Sequence, residues 1–310
     1  MHIYTQWRDL PQMARGASVA MGNFDGVHLG HRSVIERAAA AGQGAPLGVI
    51  TFEPHPREFF SPKAPPFRLM NAEARGHRLA KLGVEHLYEL PFDAGLAAMS
   101  PEAFARDVLA AGLGISHVTV GADFRFGQGR KGTAETLAGY GAAYGFGVTI
   151  APLLQIADCE VSSTAIRSAL AEGRPRDAAA MLGHWHRIEG AVIHGEKRGR
   201  ELGYPTANMS VAGLHLPKLG VYAVKVDVLT GPQAGSYNGA ASLGVRPMFG
   251  ENTPNLETFI FDFKGDLYGH HLSVAFVDYL RPELKFDGLP ALMDQMQADC
   301  DRARAILEAI

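Results

Sequence analysis

Hydrophobic residues follow different periods in the two halves of the chain. In the first half, short apolar runs alternate with segments whose apolar residues recur at helical spacing. The runs predict strands at 18–22, 47–52, 86–90, 117–121 and 147–151, and the segments between them predict helices at about 31–41, 71–82, 101–112 and 133–145. Strands that alternate with helices are typical of a mostly parallel sheet covered by helices, so this half is predicted to be an α/β domain.

The pattern changes after about residue 183, beyond a helical stretch at 162–182. Apolar and polar residues then alternate over 187–194, 220–229, 236–243, 255–263 and 271–280. Glycine and proline separate these runs, which predicts a small antiparallel β-barrel. Helical spacing returns at 289–309 and predicts a C-terminal helix that closes the second domain. We therefore expect domains at 1–183 and 184–310.

Composition narrows the class of protein. The chain has 310 residues, a net charge of −3, 47% hydrophobic residues and two cysteines. This length suits two domains, and the charge gives no reason to expect a nucleic-acid partner. Two cysteines are too few for a disulfide framework, no signal peptide is recognisable, and no apolar run approaches the roughly 20 residues of a membrane span. We expect a cytoplasmic protein without a membrane partner, and the sequence leaves self-association open.

The densest motif lies between the first predicted strand and the first helix. Residues 22–31 read Gly-Asn-Phe-Asp-Gly-Val-His-Leu-Gly-His. A helix N-terminus presents unpaired backbone N–H groups and partial positive charge, which suit phosphate. His28 and His31 are three residues apart, so both can face one phosphate from the first turn of a helix that begins near His31. The motif predicts a phosphate-binding junction.

Three further segments of the first half carry candidate chemistry. Thr-Phe-Glu-Pro-His-Pro closes the second strand at 51–56, and Gly-Ala-Asp-Phe-Arg-Phe-Gly follows the fourth strand at 121–127. A later helix opens with Ser163 and Thr164, and Arg167 lies four residues after Ser163 on the same face. Hydroxyls at a helix N-terminus often serve only as caps. Beside the histidine motif, we expect hydroxyls and guanidinium to bind phosphate together.

The second half contains a basic, glycine-rich loop at 195–203 that leads to Pro-Thr-Ala-Asn at 205–208. In an extended segment, Thr206 and Asn208 project to the same side. Their side-chain oxygens are ligands of the kind that Mg²⁺ prefers when it bridges ATP phosphates. Alternatively, the segment is a hairpin turn and the basic run a solvated loop.

A single carboxylate marks a later strand of the second half. Alternation over 256–263 places Glu257 on the same face as Phe259, Phe261 and Phe263. A carboxylate at the edge of a pocket can have a raised pKa and act as a base, whereas one at the barrel rim is merely solvated. The strand alone leaves both interpretations open.

Together these motifs resemble a known bacterial family over nearly the whole chain. His-x-Gly-His is similar to the signature of nucleotidyltransferases, and the longer 22–31 motif resembles the FMN adenylyltransferase module of bifunctional riboflavin kinase/FAD synthetases. Pro-Thr-Ala-Asn with Glu257 resembles the riboflavin kinase module of the same family. The resemblance implies a Rossmann-like nucleotidyltransferase domain followed by a riboflavin kinase-like barrel.

The resemblance also implies substrates and residue roles. The first module would transfer the adenylyl group of ATP to FMN, giving FAD and pyrophosphate, and the second would phosphorylate riboflavin to FMN with Mg²⁺ as cofactor. For the first module it implies catalytic His28 and His31, nucleotide contacts from Gly22, Phe24, Asp25, Gly26, Asp123, Ser163, Thr164 and Arg167, and flavin contacts from Pro54, His55 and Pro56. For the second it implies Glu257 as base, Thr206 and Asn208 as nucleotide and Mg²⁺ ligands, nucleotide contacts from Gly195, Lys197 and Gly199, and Arg281 near the flavin.

One segment departs from the family pattern. Residues 241–247 read Ala-Ser-Leu-Gly-Val-Arg-Pro, where the family more often has Ala-Asn-Ile-Gly-Thr-Arg-Pro. Ser242 and Val245 thus replace polar groups expected near the flavin or nucleotide, which bears on kinase affinity.

Three alternatives to a bifunctional enzyme remain. The chain could be an FMN adenylyltransferase alone, with the barrel as a flavin-binding module. An aminoacyl-tRNA-synthetase-like enzyme also uses a His-x-Gly-His signature, but the lysine-rich loop of that class is missing from the sequence and no basic character suggests tRNA. A non-catalytic flavin carrier would have no need for two phosphate-type sites.

Overall fold

The computed structural model describes residues 1–156, 159–194, 203–248 and 251–310. The fold divides into two units. The first comprises Met1–Pro65 and Arg75–Ser162, and the second comprises Pro66–Ala74 and Ser163–Ile310.

The first unit contains a parallel sheet with helices. Its elements, together with the helix α3 that crosses the unit division, are β1 (His2–Tyr4), β2 (Ser18–Met21), α1 (Leu29–Ala41), β3 (Leu47–Glu53), α2 (Pro56–Phe60), α3 (Ala72–Lys81), β4 (His86–Pro91), α4 (Ala94–Ala98), α5 (Pro101–Ala103), β5 (His117–Gly121), β6 (Arg125–Phe126), β7 (Gly132–Thr133), α6 (Ala134–Tyr144), β8 (Gly147–Ala151), β9 (Gln155–Ile156) and β10 (Cys159–Glu160). After α5 the chain continues as a π-helix over Phe104–Leu113. Six strands pair in the order β1-β4-β3-β2-β5-β8, all parallel, which confirms the predicted α/β class.

All five predicted strands of this unit are present within one residue at either end. Every residue of β2 is buried, as expected for a strand covered by helices on both faces. Sequence periodicity missed β1, α2 and α4, which have three, five and five residues. Such short elements offer no repeat from which a period can be recognised.

The strand order places a crevice at one edge of the sheet. From the central β2 the chain builds outward through β3 and β4, and it then returns to add β5 and β8 on the other side. Because β2 and β5 run parallel and side by side, the loops that follow them meet at the carboxyl edge. Ligands of open parallel sheets bind at such a reversal of strand order.

The second unit is a closed barrel with three helices among the described residues. Its elements are α7 (Ser163–Ala171), α8 (Pro175–Leu182), β11 (Arg187–Ile193), β12 (Thr206–Ser210), β13 (Gly220–Val228), β14 (Gly235–Met248), β15 (Glu251–Ile260), β16 (His271–Arg281) and α9 (Leu289–Glu308). The barrel order is β11-β12-β15-β14-β13-β16, with every pair antiparallel. The predicted barrel and C-terminal helix are both confirmed, while the helical stretch 162–182 is two helices separated near Gly173, whose φ is 79°.

Alternation along the barrel strands separates an inner face from an outer one. Met209, Leu256 and Leu243 face each other across β12, β15 and β14 and belong to the inner core. Residues one position away therefore point outward. On the outer face, Ala240 packs with Cys300 and Ala303 of α9 in a separate cluster, so the C-terminal helix covers part of the barrel.

A buried histidine precedes the first barrel strand. His186 is 2% exposed, its ring lies 5.7 Å from that of Phe276, and its Nε2 has no hydrogen-bond partner in the described part of the chain. Burial, and then the neighbouring His184 and His215, lower its pKa from 6.5 to about 3. The folded barrel therefore holds His186 as neutral imidazole.

This predicts a pH dependence of barrel stability. Below pH 6.5 His186 binds a proton in the unfolded chain, whereas in the folded chain it stays neutral down to about pH 3. The contribution of His186 to the free energy of unfolding is therefore fully present above pH 6.5 and is lost as the pH falls from 6.5 to 3. The contribution to the slope is about 1.4 kcal/mol per pH unit. Urea unfolding of His186→Leu between pH 6 and 4 should show a slope shallower than wild type by about that amount. Equal pH slopes for the two proteins would contradict the neutral state assigned to His186. A change in the free energy of unfolding that is the same at every pH, as repacking around Leu would give, does not affect this comparison.

Candidate nucleotide and flavin sites

The loop that follows β2 adopts an unusual backbone. Phe24, Gly26 and Val27 have φ values of 51°, 90° and 43°. A β-branched residue such as Val27 is a genuine outlier in this region, and each strained residue costs on the order of 1–3 kcal/mol. Such strain persists only where the surroundings impose it, and it is concentrated at functional sites.

Hydrogen bonds to the neighbouring strand hold this loop in place. The Gly22 N–H donates to the Ile50 carbonyl at 3.1 Å, and the buried Thr51 hydroxyl donates to the Asn23 carbonyl at 3.2 Å. Phe24 and Val27 are each 1% exposed, and Asp25 is 6% exposed. The loop is therefore packed into the first unit, and its fixed conformation sets the direction in which α1 begins.

The two histidines of the motif stack at the start of α1. The helix begins at Leu29, and His28 is its N-cap rather than a residue before a helix that begins near His31. The backbone N–H of His31 donates to Nδ1 of His28 at 3.2 Å. Since Nδ1 accepts this bond, the neutral His28 ring carries its proton on Nε2. The rings lie 3.6 Å apart and 18° from parallel.

Burial keeps His31 uncharged. Desolvation, and then the charge that His28 could carry, hold its pKa well below the usual value. Its Nδ1 is buried without a hydrogen-bond partner among the residues that the structure describes. The centroid of the Phe24 ring lies 5.1 Å from that of the His31 ring. Phe24, which was predicted to contact the nucleotide, therefore packs against His31.

Gly30 fits closely against the His28 ring. A Cβ at this position would lie 3.0 Å from Cε1 of His28 and 3.5 Å from the Val161 carbonyl oxygen. Glycine therefore lets the helix begin directly beside the His28 ring without the shift of a few tenths of an ångström that a Cβ would force. The first-turn N–H groups that precede the intrahelical bonds complete an arrangement suited to an anion.

Asp123 lies beyond the neighbouring strand β5. Its side chain is exposed, and it folds back over Gly121, where a Cβ would lie 2.9 Å from the carboxylate Oδ1. Because β5 adjoins β2, this carboxylate lies at the same reversal of strand order as the loop 22–28. The predicted Asp123 contact is thus positioned at the crevice, and its ligand stays a prediction.

The segment after β3 forms a capped turn on the other side of β2. The Glu53–Pro54 peptide is cis, and Pro56 is the first residue of α2. Nδ1 of His55 accepts the Arg57 N–H at 3.0 Å, while the Glu58 carboxylate accepts the His55 N–H at 3.2 Å. This reciprocal cap gives the Pro54–Pro56 segment a defined shape.

Sequence reasoning missed an aromatic surface in this segment. Phe59 and Phe60 of α2 pack edge-on against Phe92, with ring centroids 5.4 and 5.7 Å apart, and Phe60 is 66% exposed. The signal available was the consecutive pair of phenylalanines two residues after Pro-His-Pro. Exposed aromatic rings offer a stacking surface to a planar ligand.

The second unit contains the predicted Ser-Thr-Arg group. Ser163 is the first residue of α7, and Thr164 is exposed. Arg167 donates from Nε to the Phe67 carbonyl at 2.6 Å, and its guanidinium lies 5.3 Å from the Phe67 ring centroid. These contacts orient the guanidinium, and phosphate binding by Ser163, Thr164 and Arg167 stays a prediction.

The barrel brings together the residues predicted for the second site. Asn208 pairs directly with Glu257, and Glu257 pairs with Ser242 on the next strand. This row is one residue away from the inner row of Leu256, so it lies on the outer face of the barrel. The departure from the family pattern at Ser242 therefore lies beside Glu257, whereas Val245 pairs with Pro254 farther along β14.

Asn208 is buried and oriented. It is 8% exposed, its Oδ1 accepts from Nδ2 of Asn255 at 2.8 Å, and its own Nδ2 donates to the Thr206 carbonyl at 3.3 Å. The segment is a barrel strand and not a hairpin turn. Across the described ranges, no group of three or more His, Cys, Asp or Glu could hold a metal.

The aromatic face around Glu257 is confirmed in part. Phe259 and Phe261 pack with the α9 cluster, and the Tyr204 ring lies 5.2 Å from that of Phe259. The placement of Phe263 on this face is wrong: β15 ends at Ile260, and Phe263 packs against the inner core. The alternation stops at the turn that follows the strand.

Arg281 has a structural partner. Its guanidinium donates to the Asp299 carboxylate from Nε, at 3.0 Å to Oδ1 and 2.9 Å to Oδ2, and from Nη2, at 2.7 Å to Oδ2, and both side chains are largely buried. This pair joins β16 to α9, and a flavin contact by Arg281 stays a prediction. Gly195, Lys197 and Gly199 lie outside the described residues.

None of the helices in the described part of the chain has both the length and the hydrophobicity that a membrane span needs.

Comparisons with known proteins bear on both units. The FAD synthetase family model matches residues 10–165, and the riboflavin kinase family model matches residues 182–307. Proteins named bifunctional riboflavin kinase/FMN adenylyltransferase are 40% identical in Pseudomonas fluorescens, over 94% of this chain and 93% of that protein, and 38% identical in Listeria monocytogenes, over 97% and 94%.

A solved structure shares the whole fold. A protein of Streptococcus pneumoniae, described as a macrolide-efflux protein, superposes with a TM-score of 0.83 at 32% identity and covers 98% of each chain. That description belongs to the streptococcal protein, whereas both family models and the relatives named above agree with one another. The chain therefore belongs to the bifunctional riboflavin kinase/FMN adenylyltransferase family.

Proposed function

We propose that the chain makes FAD in two steps, first phosphorylating riboflavin with ATP and then adenylylating the FMN with a second ATP. The proposal is carried by the match of both family models in order along one chain. The riboflavin kinase match favours this function over an adenylyltransferase with an inactive barrel. We assign the adenylyltransferase to 1–183 and the kinase to 184–310, and the ATP pool that both need suggests the cytoplasm.

The adenylyl-transfer site works without a general base. The phosphate of FMN is already ionised, so it can attack the α-phosphorus of ATP directly, and pyrophosphate leaves. The chain must orient two polyanions and stabilise the charge of the transition state. His28, with its proton on Nε2, can donate a hydrogen bond to a phosphate oxygen beside the N-terminus of α1. Neutral His31 fixes the ring by stacking.

The acceptor side is formed by the capped segment Pro54–Pro56. The defined turn places His55 and the exposed Phe60 ring at the carboxyl edge of β3, next to the loop that follows β2. A planar isoalloxazine can stack on such a ring while its phosphate points to the histidines. We therefore assign FMN to this segment and ATP to the loop of Gly22–His31.

Replacing Gly30 tests the histidine geometry. In Gly30→Ala the new Cβ meets the His28 ring at about 3.0 Å, so the ring must shift. The ring has to give by a few tenths of an ångström. Since a misplacement of about 1 Å can cost about a hundredfold, kcat/KM for FMN adenylylation should fall roughly threefold to tenfold. Riboflavin phosphorylation by the same protein should stay unchanged.

Gly139→Ala in α6 is the matched control, because nothing lies within 4 Å of its added Cβ. Its two activities should equal those of wild type. Equal adenylylation by Gly30→Ala and Gly139→Ala would contradict the assigned role of His28.

The kinase site needs a base because its nucleophile is a neutral hydroxyl. We assign Glu257 to accept the proton of the ribityl hydroxyl as that oxygen bonds to the γ-phosphorus of ATP and ADP leaves. Asn208, directly opposite on β12, and Thr206 on the same face would hold Mg²⁺ through their side-chain oxygens. The bound metal would neutralise charge on the ATP phosphates.

The variant Glu257→Gln tests the base. It keeps the shape of the side chain and removes its proton affinity, so riboflavin phosphorylation should fall about 10²- to 10⁴-fold. Adenylylation of added FMN should be unaffected, as should both activities of the exposed control Glu308→Gln. Full-rate FMN formation by Glu257→Gln would exclude Glu257 as the base.

A further inference from the structure

A buried arginine joins the ends of two strands beside the proposed acceptor segment. Nη2 of Arg75, from α3, lies 3.0 Å from the Glu53 carboxylate and 2.7 Å from the Glu89 carboxylate. The Arg75 side chain is 4% exposed, and those of Glu53 and Glu89 are 35% and 13% exposed. The motif at 51–56 includes Glu53, but nothing in the sequence connects it with Arg75 or Glu89, because the three residues come from separate elements.

Glu53 is the residue from which the acceptor segment starts. It ends β3 and precedes Pro54, and its carbonyl accepts the Phe92 N–H at 3.0 Å. Phe92 also supplies the ring on which Phe59 and Phe60 pack. The backbone and the side chain of Glu53 are thus both held, the backbone by β4 and its extension and the side chain by Arg75.

The charge of the group matters at this edge of the sheet. Two carboxylates and one guanidinium leave a net charge of −1, and loss of the guanidinium would leave −2 at the carboxyl edge, where a phosphorylated acceptor arrives. Without the guanidinium the two carboxylates would repel each other across the ends of β3 and β4, and solvent at the 35% exposed Glu53 would screen part of that repulsion. The salt bridge therefore both joins the ends of β3 and β4 and lowers the negative charge at the carboxyl edge of the sheet.

We propose that Arg75 is a positioning residue of adenylyl transfer, which fixes Glu53 and cancels its charge so that the Pro54–Pro56 segment can accept FMN. The inference rests on the proposed assignment of that segment to FMN. It assigns Arg75 no contact with either substrate.

The test compares Arg75→Met with Arg75→Lys in the full chain. Loss of one charge near a bound phosphate should raise KM for FMN about tenfold in Arg75→Met. The kcat of adenylylation and KM for ATP should stay within about twofold, because ATP binds at the other loop. Lysine keeps the charge, so Arg75→Lys should restore KM for FMN. Riboflavin phosphorylation is the internal control for folding.

A charge-balanced variant separates electrostatics from loss of structure. Arg75→Met combined with Glu89→Gln returns the group to a net charge of −1 and should recover most of the KM for FMN. The KM defect of Arg75→Met should also shrink as ionic strength rises. An equal defect in kcat, no recovery in Arg75→Lys or in the double variant, or a KM for FMN equal to wild type would each overturn the proposal.

The variant His55→Ala distinguishes this failure from failure of the acceptor assignment. If His55→Ala raises KM for FMN and Arg75→Met does not, the positioning role is wrong and the acceptor segment stands. If neither variant changes KM for FMN, the acceptor assignment itself is wrong, and the positioning role falls with it.

Discussion

The hydrogen bond from the His31 N–H to Nδ1 of His28 determines the chemistry available to the first unit. This bond caps α1 where the strained loop ends, and it fixes the tautomer of His28. The course of the backbone therefore decides that the His28 proton is on Nε2. The left-handed conformations at Phe24 and Val27 are the cost of bringing the chain into this cap. Burial then keeps the pKa of His31 low and its ring neutral, and Gly30 leaves space for the His28 ring.

In the barrel, the register of the antiparallel strands brings the residues of the proposed kinase site together. Antiparallel pairing places Asn208, Glu257 and Ser242 in one outward row, so the proposed oxygen ligand and the proposed base are side by side. A shift of the register by one residue would turn this row into the hydrophobic core. The two sites thus reflect their nucleophiles: an ionised phosphate needs orientation and hydrogen-bond donors, whereas a hydroxyl also needs a base.

Periodicity predicted the larger elements because each is long enough to show a repeat, and the motifs identified both modules through their residue types and spacing. The sequence could not show which residues adopt positive φ, and it placed Phe263 on the wrong face because the strand ends before the alternation does. Contacts between residues far apart in the sequence could not be predicted either. The segment 66–74 belongs to the second unit, and Arg75 meets carboxylates from two distant strands. Such contacts depend on the tertiary fold and leave no local pattern.

The central claim is that one chain performs both reactions. The most direct test is incubation of the purified protein with riboflavin, ATP and Mg²⁺, with the flavins separated by chromatography over time. Two active sites in sequence predict that FMN appears first and FAD follows, with pyrophosphate formed in step with FAD. Formation of FAD from added FMN, together with no product from riboflavin, would contradict the claim.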